Sequence, residues 1–552
     1  MAISCEIEYD RDRYLLLGGR RLNTEVNRGK SFLGGAVLLS AAALLTKIIS
    51  AGYRIPYQNM AGDLGFYVYQ QIYPFYGFMA IVSLYGFPIV LSRQLAENNQ
   101  DVKATTGLYF VGLLLFSIVA VVLMVGLAPW LAVWMGDPAL TDVLRVTGFS
   151  FLFLPFLSVA RGATQGQREM LPTAVSNVGE QLVRVTAILL ITYLLMKTSA
   201  DAYQLGSGAI YGSLLGSFTG VIILFAYMKK MQISLGINEL KKFTLRNAIN
   251  RIGSLLAQSV FICMNALVLI FFQFVDVFSM IHLLQNFGVS EMEAYQLKGI
   301  YDRGQPLIQL GTILATTLAL AIVPAMAQAR AEKNSKAVLG FQDMALRLAL
   351  LIGGAATIGL VVIMDPLNHM LFTDQQGTTF LRVLVLSIAP CSVYLTAAAI
   401  LQGYGSIRVP AIIIGIGLIL KLLANVVLIP MYGATGAAAA STIAFTVMAC
   451  LGLYFIKQVS GKLWRHTMPY LALLITLILL TIVTTICAWF ISDWIGTGQR
   501  RLVDTGTALA ISGVGGLVVL ICLIRLPIFT ASEWEQVPKL KKLRAIFTSR
   551  KE

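Results

Sequence analysis

The sequence predicts an all-α membrane protein: fourteen transmembrane helices, arranged as two parallel six-helix lobes around a central cavity, plus two C-terminal helices. Three observations predict it. The 552 residues are 57% hydrophobic and only 12% charged, about half the charge of a soluble domain, with mean hydropathy +0.76. Apolar runs of membrane length recur along the whole chain. A set of residues also repeats at one fixed offset, and internal repeats mark many transporter folds.

The spans start near residues 33, 66, 106, 141, 172, 204 and 248, and then near 300, 340, 379, 409, 433, 467 and 505. Most of the 42 Lys and Arg fall in alternate loops and in the two tails. The opposite loops hold only Lys197, Lys298, Arg500 and Arg501. Basic residues stay cytoplasmic, so both termini are expected inside. The first thirty residues are rich in Glu, Asp and Arg, unlike a secretory signal peptide, and are expected to form a cytoplasmic tail. The net charge of +15 then reflects membrane orientation and does not call for nucleic acid.

The repeat pairs Gln165 with Gln402, Arg184 with Lys421 and Arg93 with Arg330, all 237 residues apart. That offset spans six helices, an even number, so both copies cross the membrane in the same direction. The expected organisation is an N-terminal tail (1–30), an N-lobe (31–230), a basic cytoplasmic linker (231–247), a C-lobe (248–457), a helix pair (467–526) and a basic tail (527–552). Two like-oriented lobes suit alternating access better than an ion filter.

Charge inside a span costs about 2.5–3.5 kcal/mol on insertion scales, so such residues face a bundle interior or a watery cavity. The spans carry Lys47, Arg54, Arg145, Arg184, Arg303, Arg382 and Lys421, with Glu180 and Asp302 as almost the only carboxylates. A cavity with that excess selects an anion. Arg145 and Arg382, close to outer ends, are expected to snorkel. Glu180 and Arg184, at i and i+4, either pair or serve substrate. Lys47 and Arg54 lie two turns apart on one helix face. Arg303 is followed by Pro306, which with Gly304 reads as a hinge. Arginine suits phosphate, because its planar fork takes two oxygens. The aromatic stretch "GFYVYQQIYPFYGF" (65–78) reads first as an interfacial belt and second as a sugar-stacking platform. The six cysteines and three histidines show no metal-ligand spacing. No phosphate-cradling loop for ATP is present, and no cofactor is implied.

The stretches "GFYVYQQIYPFYGF", "PIVLSRQLAE", "RGATQGQREMLPTAVSNVGEQLVRV" and "YDRGQPLIQLGTILATTLALAIVPAMAQA" resemble the polysaccharide-flippase branch of the multidrug/oligosaccharidyl-lipid/polysaccharide exporter superfamily, in particular its MurJ/YtgP/SpoVB-like lipid II flippases. The resemblance covers roughly residues 31–525. It implies a flippase, not an enzyme, moving undecaprenyl-pyrophosphate-linked cell-wall precursor from the inner to the outer leaflet of the bacterial plasma membrane. It places substrate cations at Arg54 and Arg303; the in-span charges add Lys47 and Arg184 as assisting cations, with Glu180, Asp302 and Lys421 supporting. It makes helices 467–526 a groove for the lipid tail. Membrane lipids and cell-wall synthesis proteins are the expected partners, and the expected state is a monomer. An acidic residue that some members carry at the start of span 2 has no counterpart at Gly65 and Phe66. The alternatives are a cation-coupled multidrug exporter, a flippase for a spore-wall or teichoic-type polymer, and a polymerase for the same lipid. The polymerase would need a dense catalytic constellation, which the outer loop at 276–299 does not offer.

Overall fold

The computed structural model describes residues 41–97, 102–464, 468–495 and 500–529. The expected N-terminal tail and residues 530–552 of the C-terminal tail lie outside them. Every regular element among the described residues is helical. The run Ala41–Ala96 breaks at Gly62, whose φ of +68° only glycine adopts easily, into α1 (41–61) and α2 (63–97). There follow α3 (Val102–Trp134), α4 (Pro138–Gly166), α5 (Leu171–Lys197), α6 (Ala202–Lys230) and α7 (Leu245–Phe287). Then come α8 (Glu291–Asp302), α9 (Gly304–Ala331), α10 (Ser335–Val362), α11 (Met364–Phe372), α12 (Thr378–Gly403), α13 (Arg408–Tyr432), α14 (Ala434–Ser460), α15 (Met468–Ile495) and α16 (Arg501–Arg525).

Twelve helical runs among the described residues are long and apolar enough to cross a bilayer. A count of fourteen rests on reading the Gly62 break as a boundary between two crossings and α9 as a further one.

The repeat is visible as packing. Small residues let the corresponding helix pairs of each lobe approach closely, though the glycines themselves stand at different positions. In the N-lobe, Gly162 of α4 faces Leu91 of α2, and Gly212 and Gly216 of α6 meet α5 at Ile188 and Arg184. In the C-lobe, Gly311 of α9 faces Ile388 of α12, and Gly417 of α13 faces Met448 of α14. The lobes join along α2 and α7, where a Cβ on Gly77 would come within 2.8 Å of Ile270 and one on Gly86 within 2.7 Å of Cys263. Phe75 and Phe274 pack edge to face there, centroids 5.0 Å apart. The α15–α16 hairpin lies against α10 and α11.

The end carrying Gly62, Asp137 and Asp374 is the one that the charge distribution assigns to the outside, and is termed the outer end below. There α8 lies across the start of α2. Gly299 approaches the Asp63 carbonyl so closely that a Cβ would sit 2.2 Å from it. Tyr67 and Tyr295 stack at 4.9 Å. Tyr67 and Tyr203 donate to Asp137 at 3.1 and 2.8 Å.

Several expectations are corrected. The aromatic stretch is no interfacial belt: Tyr67, Tyr69, Tyr73 and Tyr76 are buried inside the protein. Asp276 and Lys298 are not loop residues: Asp276 is buried within α7 and Lys298 within α8. Arg161 and Arg347, not expected among the in-span cations, are buried in α4 and α10. The start of span 2 does carry an acid, because the helix begins one residue after Gly62, at Asp63.

Candidate functional site

The N-lobe holds the arginines that lack carboxylates. Arg54, near the end of α1, is fully buried. None of its three guanidinium nitrogens has a hydrogen-bond partner among the described residues. Its Cζ lies 4.3 Å from the centroid of the Tyr73 ring. Arg184 of α5 faces the same ring at 5.7 Å and that of Tyr76 at 4.5 Å. Its Nη2 donates to the hydroxyls of Tyr53 (3.0 Å) and Tyr69 (2.9 Å), and its Nε to Ser213 Oγ (3.3 Å). These two hydroxyls are 2.5 Å apart. The expected Glu180–Arg184 pair does not form. Glu180 instead binds Arg161 Nη2 at 2.8 Å, and Arg161 also donates to the Ser83 carbonyl. Two arginines therefore share a tyrosine cage with no counter-charge of their own. Cation–π contacts are worth about 2 kcal/mol or more when desolvated, against a desolvation penalty of several kcal/mol for each buried ion. The cage is electrically poised for an anion.

Arg303 is placed differently. It stands between α8 and α9, fully buried, and two carboxylates saturate it. Nη2 contacts both Asp63 oxygens at 2.6 and 2.7 Å, and Nε reaches Asp63 Oδ1 at 3.0 Å. Nη1 and Nη2 reach Asp374 at 2.7 and 2.8 Å. Asp63 belongs to α2 and Asp374 to the loop before α12, so the guanidinium clamps the two lobes together at the outer end. Burial would raise the Asp374 carboxyl, but the Arg303 hydrogen bonds and charge outweigh it and hold it below the usual carboxylate range. Asp137 goes the other way: burial pushes it up, against the hydrogen bonds from Tyr203, Ala139 N–H and Tyr67.

Pro306 lies in the first turn of α9, where proline is tolerated. Its missing N–H and ring separate α9 from α8 at Arg303. A Cβ on Gly304 would sit 2.4 Å from Leu384, so this junction packs tightly on α12. The other buried cations of the C-lobe among the described residues are also matched. Lys421 Nζ contacts Asp276 at 2.7 Å and Ser441 Oγ at 2.6 Å. Asn425 and Tyr301 also donate to Asp276. Lys298 meets Asp302 at 2.5 Å, so Asp302 holds its own helix. Lys47 lies half-buried on α1, two turns before Arg54. Arg145 pairs at the surface with Asp142, as a snorkelling residue does, and Arg382 bonds to Asp365.

Sequence reasoning thus found both arginines of the cage and missed most of its surroundings. Five tyrosines, Tyr53, Tyr57, Tyr69, Tyr73 and Tyr76, are buried around or beside it. Their signal was an i, i+4, i+7 pattern from Tyr69 through Tyr73 to Tyr76, one helix face rather than a ring at one depth.

Comparison with known proteins decides the family. Residues 32–330 match the polysaccharide biosynthesis protein family, and residues 262–427 the MatE family. The chain belongs to the polysaccharide biosynthesis protein family. It is 37% identical to the Bacillus subtilis membrane protein YabM over 94% of this chain and 97% of that one. It is 24% identical to the lipid II flippase MurJ of Bacillus subtilis, over 90% and 95%. With the stage V sporulation protein B of the same organism it shares 23% identity over 64% and 69%. Its fold is that of a lipid II flippase MurJ solved in an inward closed conformation, with TM-score 0.65, 14% identity, and 89% and 100% of the chains covered. A multidrug-resistance MATE transporter of the MOP superfamily, solved facing inward, gives 0.62 at 15% identity, covering 77% and 98%. The protein is a MurJ-like, multi-pass membrane member of the flippases and transporters of that superfamily.

Proposed function

We propose that the protein flips an undecaprenyl-pyrophosphate-linked cell-wall precursor, lipid II or a related lipid-linked sugar, from the inner to the outer leaflet. The observation that carries this is Arg54: fully buried, with three donors that have no hydrogen-bond partner among the described residues, on the same tyrosine ring as Arg184, and with no described carboxylate bonded to it. A fixed cation without a counter-ion inside a membrane protein calls for an anionic passenger, and a pyrophosphate supplies acceptors for both guanidinium forks. A cation-coupled exporter of cationic drugs would place a carboxylate there.

Arg303 acts in this scheme through the outer clamp and not as a standing phosphate ligand. Its two carboxylates release it when the lobes part, with Gly304 and Pro306 at the junction. Lys47 guides the headgroup from the inner side, and Lys421 with Asp276 stiffens the C-lobe. Both termini are cytoplasmic, the protein acts as a monomer in the plasma membrane, and cell-wall synthesis proteins consume what it delivers. It performs no covalent step of its own.

Two cargo readings stand side by side, because the chain matches both MurJ, at 24% identity over 90% of its length, and stage V sporulation protein B, at 23% over 64%. The test is depletion in a cell with no redundant flippase, followed by labelling of lipid II exposed at the outer face. Loss of exposed lipid II is expected. Unchanged exposure removes lipid II as the cargo, and the same assay on spore-wall and teichoic-type precursors then decides among the rest.

A further inference from the structure

The break between α1 and α2 is tied across by side chains. Gly62 takes φ +68° there, and a Cβ on it would meet nothing within 4 Å, so the glycine serves the turn and not close packing. α1 carries the cage arginine Arg54 and, one turn later, Gln58; α2 begins with Asp63. Gln58 Nε2 donates to Asp63 Oδ1 at 2.8 Å across the break. A longer bond, from the Tyr57 hydroxyl to the Gly65 carbonyl at 3.3 Å, crosses beside it.

Asp63 is also one jaw of the outer clamp. The same Oδ1 accepts from Arg303 Nε at 3.0 Å and Nη2 at 2.6 Å. One amide thus links the helix of the cage to a carboxylate of the clamp. Gln58 is only 4% exposed, and its Oε1 has no hydrogen-bond partner among the described residues. The bond to Asp63 is therefore what orients the amide. The Arg54 guanidinium one turn away is likewise without a hydrogen-bond partner among the described residues. Side chains at i and i+4 share a helix face, with Cβ atoms about 5–6 Å apart. A phosphate on the Arg54 fork lies within reach of the Gln58 amide.

We propose that Gln58 reports cargo to the clamp: a phosphate group bound on Arg54 takes the Gln58 amide N–H from Asp63, and the hold of Asp63 on Arg303 loosens. Both acceptors are anionic oxygens, so the amide exchanges one charge-assisted bond for another. Asp63 Oδ1 then loses one of its three donors, and the tie across Gly62 goes with it. Asp63 is partly exposed, so water replaces the amide there, and Arg303 leans on Asp374. The outer end is released once the cage is filled. This rests on the flippase reading and deepens it: the phosphate of the passenger is the trigger, and no sugar is required for the signal.

The test separates binding from the relay. The full chain in phosphatidylcholine nanodiscs carries two spin-labelled amino acids at exposed outer positions, Asp142 on the N-lobe and Tyr432 on the C-lobe. Binding of geranylgeranyl pyrophosphate is measured alongside the distance between the labels, with geranylgeraniol as the control. The pyrophosphate should enlarge the wide-separation population several-fold, and the alcohol should not. Gln58→Met keeps the length of the side chain without its amide. It should still bind the pyrophosphate within a few-fold of the parent chain, yet show no change in separation. Gln58→His, which restores an N–H donor, should recover the response. Binding without any change in the parent chain would overturn the relay and leave the flippase reading standing. A response in Gln58→Met as large as the parent's would do the same and make Gln58 a structural staple. No binding, or binding indifferent to Arg54→Gln, would overturn the flippase reading itself and the relay with it.

Discussion

The two lobes share residues at a 237-residue offset, yet they treat the buried charge at those equivalent positions differently. Arg184 and Lys421 occupy equivalent positions, 237 residues apart. Lys421 is neutralised by Asp276 at 2.7 Å, whereas Arg184 is met by tyrosine hydroxyls and rings. Lys298 and Arg347 of the C-lobe likewise have carboxylates, while Arg54 of the N-lobe has none. A matched pair inside a protein is a closed structural unit. An unmatched cation holds free energy in reserve for a ligand. The C-lobe thus pairs its buried cations with carboxylates, whereas the N-lobe pairs Arg161 with Glu180 and leaves Arg54 and Arg184 among tyrosines.

That contrast is broken most directly in the N-lobe. Arg54→Gln, and separately Arg184→Gln, should abolish complementation of a depleted strain while leaving protein level intact. Thermal stability of the purified variants should be unchanged or higher, because each change removes an uncompensated buried charge. A large loss of stability with transport retained would show that the cage is structural and that the lobes do not differ in this way.

The C-lobe should answer in the reverse sense. Lys421→Met alone leaves Asp276 buried and unpaired and is expected to cost about 3–5 kcal/mol. Lys421→Met combined with Asp276→Leu should recover most of that, since a buried ion pair replaced by apolar groups of similar volume is often neutral or better. Thermal unfolding in detergent or nanodiscs measures both. If the double variant falls as far as the single one, the pair has a role beyond mutual neutralisation.

Much of the architecture was legible because it follows from local rules: apolar length gives spans, basic loops suggest orientation, and the 237-residue offset gives parallel lobes. The cage arginines were legible for the same reason, as charge inside a span demands an explanation. Their partners were not. Asp63 and Asp374 sit at a helix start and in a turn, and Asp276 lies inside the long α7 beyond the span length a hydropathy scan assigns to it, so all three read as loop residues, and each meets a cation distant in sequence. Arg303 illustrates the limit. Its sequence context suggested a phosphate ligand, but residues 240 and 71 positions away make it a clamp. The aromatic stretch fails similarly: composition cannot tell a belt from a lobe interior, since both favour amphipathic rings.

The clamp lies between the extremes. Asp63→Asn or Asp374→Asn removes one of two carboxylates from Arg303, each partly exposed, so neither should unfold the protein. Each should move the population toward the outward-open state several-fold, read as faster labelling, by a membrane-impermeant maleimide, of a cysteine introduced at Gln71, which is buried between the lobes on the Met135 and Val277 carbonyls. Equal labelling before and after the change would mean that the Tyr67–Tyr295 stack alone seals the outer end.

The smallest effect expected is in pH, and its sign separates the two outer carboxylates. Asp374 has a depressed value, so its bond to Arg303 contributes fully above the ordinary carboxylate pKa of about 4 and is lost only as pH falls through that depressed value. Asp137 has a raised value, so the folded state favours its protonated form. The contribution is complete below the ordinary value and fades as pH rises through the raised one. Labelling of that introduced cysteine, with both carboxylates intact, should therefore be flat with respect to Asp374 between pH 5 and pH 9, with any slope in the acidic part of that range belonging to Asp137. Asp137→Asn should remove such a slope and Asp374→Asn should leave it. A slope that follows Asp374 instead would mean that the Arg303 clamp is weaker than its bidentate geometry implies.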